Sequence, residues 1–197
     1  GLFVSLILIL ILSLTLILSS SSIKLSFNFS FFSLINAIFL GLIYAFGEEI
    51  FFRGWIFGEA KLFFKDRGAI VSQALIFSLF HFQSGRTFIE ISAYLLGLFL
   101  LGLLLGIRRI LDKGSLAGCI GLHGGLVGIW FFVQSNLFEI LPFAPKWLVG
   151  YLDNNPISGL LCMGLFSTII ISYKDDLAMA GKPLRGALKA CSSVDKP

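Results

Sequence analysis

Apolar runs of roughly membrane-spanning length follow one another along this chain, and they leave few folds open. A helix needs about 20 mostly apolar residues to cross a hydrocarbon layer. Six stretches meet or approach that length: about residues 1–19, 31–57, 68–83, 88–107, 115–134 and 156–173. Backbone groups at such depth find no water, so each run must satisfy its own N–H and C=O groups as a helix. The expected fold is all-α, a polytopic transmembrane helix bundle of about six spans. Composition agrees, with 57% of the 197 residues apolar and 13% charged, where soluble domains run at about 45–50% and about 25%. The first run, "LFVSLILILILSLTLIL", lacks the basic start and small-residue cleavage pattern of a signal peptide and reads as a span. The second is too long for one simple crossing, so its helix is expected to continue past the bilayer edge or to break. The third is short, as suits a span packed inside a bundle.

The distribution of Lys and Arg orients these spans. Eleven of the fifteen follow spans two, four and six, while only Lys24, Arg86 and Lys146 follow spans one, three and five. That alternation places both termini on the cytoplasmic side, or the stromal side in a plastid. The net charge of +4 arises in these loops. Its natural counterpart is the anionic surface of the lipid bilayer, with no nucleic-acid partner required. Residues 1–173 are expected to form the bundle, and 174–197 a polar cytoplasmic tail. Cys119 and Cys162 fall in spans, where small apolar packing is their usual role; Cys191 falls in the tail.

Ionisable side chains inside spans are costly and mark either a function or a buried pair. Glu90 starts the fourth run near an interface as an ordinary boundary charge; five stand deeper in the runs, Glu48, Glu49, Arg53, His81 and His123, the two histidines being the only ones in the chain. Glu49 and Arg53 are four apart, so one helical face carries both and they can pair; the guanidinium fork suits a carboxylate. Glu48 is turned about 100° around the helix and has no such partner, which leaves it a group able to exchange a proton. His81 ends "FSLFH", one turn after Phe77. His123 lies in "GLHGGLVG", where Gly121, Gly124 and Gly125 admit close approach of a neighbouring helix or of a substrate backbone. A carboxylate and two imidazoles from three spans are the parts needed to bind and deprotonate a water in a dry cavity. They are equally a three-ligand set for Zn²⁺ with an open fourth position, so the cofactor is none or zinc. With no HExxH motif, metal-free general-base chemistry is the preferred route. The same charges also suit a stability network holding a helix end.

Three motifs in separate spans carry a family likeness. "EEIFFR" (Glu48 to Arg53) fits EExxxR, "FSLFH" (Phe77 to His81) fits FxxxH, and a third helix supplies His123. In that order they resemble the CPBP family, the CAAX proteases and bacteriocin-processing enzymes also called Abi proteins, over roughly residues 40–130. The resemblance implies a CAAX-protease-like fold and an intramembrane endopeptidase of the type II CAAX prenyl endopeptidase kind. Its partner would be a membrane-embedded or lipidated peptide or protein, the prenylated CAAX type included. By likeness, Glu48 and His81 activate the attacking water, His123 stabilises the oxyanion or joins a metal site, and Glu49 with Arg53 position the constellation. Members of the family have been described both as metalloproteases and as glutamate-dependent proteases.

One departure stands out. The family's third motif commonly reads HxxxN or HxxxD, and here Val127 fills the last place with no polar group. Losing one oxyanion donor costs on the order of 10²–10³ in rate. Either a backbone N–H near Gly124 or Gly125 substitutes, or activity is low, or the substrate is not a CAAX protein. That departure favours another function, a non-catalytic membrane scaffold, partner chaperone or immunity protein. A small proton-coupled transporter would also use buried Glu and His, but six spans without an inverted repeat or a proline-broken helix pair suit it poorly. Residues 137–156, "LFEILPFAPKWLVGYLDNNP", mix apolar, aromatic and proline residues. They read either as an interfacial segment gating substrate entry or as an ordinary long loop.

Overall fold

Each apolar run forms a helix in the computed structural model, which describes residues 1–19 and 22–174. Helix α1 is Leu2–Leu18. Helix α2, Phe31–Glu48, runs through a π-helical segment, Glu49–Ile56, into α3, Phe57–Phe63. The long second run therefore neither stops nor kinks apart. It is one helix of 33 residues, about 50 Å at 1.5 Å per residue. Then come α4 (Asp66–Phe80), α5 (Phe88–Leu111), α6 (Ala117–Asn136), the short α7 (Lys146–Val149) and α8 (Leu160–Ser172). The helix Phe31–Phe63, α5 and α6 are long and apolar enough to cross a membrane, while α1 and α8 are shorter apolar helices. Helix α4, with 15 residues, reaches about 22 Å and stops short of the far side of a layer about 30 Å thick. The protein is an integral membrane, all-α bundle. The proposed tail lies outside the described residues from 175 onward, as does Cys191.

Small residues set the central contact. A Cβ on Gly124 would stand 2.6 Å from the Gly41 carbonyl oxygen, and one on Gly128 would stand 2.5 Å from that of Ala37. The backbones of α2 and α6 therefore touch, which is how helices gain packing energy where lipid removes the hydrophobic drive between them. Helix α1 packs on the other side of α6, and α4 and α8 pack on α5. Between them Phe77, Leu104, Leu105, Leu122 and Phe166 form a core from which solvent is excluded. Leu10, Phe32, Ile43 and Phe88, by contrast, face outward, as a lipid-facing surface requires.

One end of the bundle is tied by polar contacts that the all-helical expectation did not include. Ile23–Leu25 (β1) and Phe138–Ile140 (β2) pair antiparallel, with Ile23 opposite Ile140. Two loops thereby satisfy each other's backbone groups. Arg86 donates to Asp153 at 2.9 Å, joining the α4–α5 loop to the segment before α8. Thr87 and Glu90 form a capping box at the start of α5. Residues 137–156 are thus more than a simple loop: they hold β2 and α7, and Leu148 and Val149 are completely buried.

Candidate active site

Helix ends and a widened turn position the polar groups. In the π-helical segment each N–H bonds the carbonyl five residues back, which adds a residue to the turn and marks many functional sites. Here the wider turn points neighbouring residues inward: Glu49, Phe52 and Arg53 are buried, while Glu48 faces a cavity of about 340 Å³. The short α4 ends at Phe80, so His81 caps it and folds its ring back to donate from Nδ1 to the Phe77 carbonyl at 2.8 Å. The contact between α2 and α6 brings His123 within 2.8 Å of Glu49, Nδ1 to Oε1.

Glu49, Arg53 and His123 form a continuous buried chain. Arg53 Nη1 donates to Glu49 Oε1 at 2.9 Å, and the guanidinium carbon lies 4.2 Å from the centre of the Phe77 ring, a cation–π contact in a dry setting. A carboxylate paired with Arg only accepts, so His123 Nδ1 carries a proton. The Phe77 carbonyl likewise only accepts, so His81 Nδ1 carries one too. Both imidazoles then present Nε2 toward Glu48: His81 at 3.6 Å from Oε1, and His123 at 3.9 Å from Oε2. Glu48 has no partner on its own helix and faces these two imidazoles from other helices.

Glu48, His81 and His123 share the cavity wall with Phe77, Leu98, Leu101 and Val127. The glycines beside His123 serve helix packing rather than a substrate. Gly124 meets α2, and a Cβ on Gly125 would collide with the Ser5 hydroxyl of α1. Among the described residues, no three His, Cys, Asp or Glu side chains are arranged to hold a metal ion. Zn²⁺ held by Glu48, His81 and His123 stays an expectation of the sequence, and no step below runs through a metal. Tyr44, Tyr94 and Asn155 also line the cavity. None carried an obvious signal, since two are aromatic residues in apolar helices and the third lies in a loop more than 70 residues from His81 in sequence. Of the cysteines, Cys119 is buried and donates to the Leu105 carbonyl at 3.3 Å, while Cys162 lies on the cavity wall.

A helical membrane bundle with a carboxylate and two imidazoles on the wall of an apolar cavity has the form of an intramembrane hydrolase. Comparison with protein families makes this specific: the model of the type II CAAX prenyl endopeptidase Rce1-like family matches residues 30–129. The chain belongs to that family. The matched stretch starts at the cap of α2 and ends just past Val127, so it contains all five ionisable groups described above. The comparisons with curated proteins and with solved structures gave no match. At the level of the family, the protein is a CAAX-type endopeptidase of the membrane, acting on a membrane-associated peptide or protein.

Proposed function

We propose that the protein is an intramembrane endopeptidase that hydrolyses a peptide bond near the end of a membrane-associated, prenylated CAAX-type protein with a metal-free, Glu48-activated water. The observation that carries this reading is the position of Glu48, between Nε2 of His81 at 3.6 Å and Nε2 of His123 at 3.9 Å. Gaps of that size suit a water held beside both partners. Glu48 takes a proton from this water, the hydroxide attacks the scissile carbonyl, and Glu48 returns the proton to the departing nitrogen. His81 orients the water. Glu49 and Arg53 hold the His123 ring in place. The apolar remainder of the cavity, with Leu8, Leu12 and Phe166 on its wall, suits a hydrocarbon chain attached to the peptide. The Lys and Arg distribution supports termini on the cytoplasmic or stromal side.

The test is turnover of a quenched fluorescent peptide carrying a farnesylated CAAX end, by the full chain in lipid nanodiscs. Wild type should release the last three residues, and Glu48→Gln should not, at an unchanged melting midpoint. Equal turnover by the two proteins would overturn the mechanism. A non-catalytic scaffold is favoured by the apolar Val127 in the cavity wall, and it requires the opposite: biological function retained in Glu48→Gln.

A further inference from the structure

Both imidazoles commit Nδ1–H, to Phe77 and to Glu49, so only Nε2 of each faces Glu48 across the cavity. Attack on a peptide carbonyl also places negative charge on its oxygen, and in a dry cavity that charge calls for an aimed donor. Val127 supplies none. Four other side chains on the cavity wall carry an O–H or N–H: Tyr44, Tyr94, Trp130 and Asn155. Tyr44 is 54% exposed on the outside of α2. Trp130 stands seven residues beyond His123, about 10 Å along the helix. Asn155 is on an exposed loop, with its side-chain oxygen accepting from the Ile157 N–H at 3.2 Å.

Tyr94 differs from these three. It is half-buried on α5 and stands at i with Leu98 and Leu101 at i+4 and i+7, one helical face whose members all line the cavity. Ser78 Oγ donates to the Leu95 carbonyl at 2.7 Å, which holds this turn of α5 against the last turn of α4 before His81. Glu48 lines the same cavity. None of the hydrogen bonds that fix the site uses its hydroxyl.

We propose that Tyr94 is a catalytic residue whose phenol O–H donates to the scissile carbonyl oxygen as it becomes an oxyanion, the task that Val127 cannot perform. This rests on the hydrolytic reading above. A phenol is a neutral donor, so it adds no cation beside Glu48 and Arg53. It keeps its proton throughout, and the proton taken from water by Glu48 still leaves on the departing nitrogen.

The experiment measures kcat and KM on the farnesylated quenched peptide in nanodiscs for wild type, Glu48→Gln, Tyr94→Phe and Tyr44→Phe. Tyr94→Phe keeps the ring and its packing, so kcat should fall on the order of 10²–10³-fold while KM and the melting midpoint hold. Placing 3,5-difluorotyrosine at position 94, which makes the phenol more acidic, should move the alkaline limb of the kcat profile to lower pH. Wild-type kcat in Tyr94→Phe alongside an inactive Glu48→Gln would overturn this proposal and leave the hydrolytic reading standing. So would a loss confined to Tyr44→Phe, or a difluorotyrosine profile superimposing on wild type. Equal turnover by wild type and Glu48→Gln would remove both.

Discussion

Two polar knots join α2 to α6, and they are spent very differently. At the start of α2, Asn136 accepts from the Ser30 N–H at 3.0 Å and donates to Ser33 Oγ at 2.6 Å and to the Phe132 carbonyl at 2.8 Å. Its amide is fully used, as buried polar groups usually are. Farther along the same pair of helices, Glu48, Glu49, Arg53 and His123 also meet. There Glu48 Oε2, Glu49 Oε2, Arg53 Nε and Arg53 Nη2 have no hydrogen-bond partner among the described residues. Satisfied groups fasten a bundle. Groups left open in a low-dielectric site are costly, and where they border a cavity they are available to a water and a substrate.

That contrast can be tested by substitution, beginning with the largest effect. Glu48→Gln removes the proposed proton acceptor while preserving shape, and turnover of the farnesylated peptide should fall on the order of 10²–10⁴-fold, the range for a positioned acid or base, with little change in melting midpoint. Arg53→Ala leaves the buried Glu49 carboxylate without its cation, and should destabilise the protein by about 3–5 kcal/mol, read as a lower melting midpoint in nanodiscs with activity lost alongside. Asn136→Leu strips the side-chain partner from the Ser30 N–H and from the Ser33 hydroxyl, at about 1–3 kcal/mol, and the fraction that remains folded should keep its wild-type kcat. Arg86→Ala opens the exposed contact with Asp153, and a double-mutant cycle on that pair should give less than about 1 kcal/mol. A large coupling there would show that the loop contact holds more of the bundle than its exposure suggests.

Much of this was legible in the chain. Helices follow from the apolar runs because a backbone in lipid has so few alternatives. The groups that the fold brings together could be picked out because Glu48, Glu49, Arg53, His81 and His123 are the only ionisable groups deep in those runs, and the Glu49–Arg53 pair followed from a spacing of four. Other features depend on contacts that a single sequence does not display. The π-helical turn that buries Glu49 and Arg53 packs against α4 and α5, neighbours that the spacing of the run does not reveal. Gly124 and Gly125 could have served a substrate or a helix, and only the positions of α2 and α1 decide between them. The strand pair of β1 and β2 joins segments more than 100 residues apart, and three residues make too short a strand to show periodicity. Tyr94 looks like one more aromatic residue in an apolar helix until α5 is set beside α4.

The most direct measurement is turnover and melting midpoint determined on the same nanodisc preparations of Glu48→Gln and Asn136→Leu. The first variant should melt like wild type and cleave almost nothing; the second should melt earlier and, while folded, cleave like wild type. If both variants lose stability and activity together, or if Glu48→Gln still cleaves, the open knot is only another fastening and the water-activating role of Glu48 is contradicted.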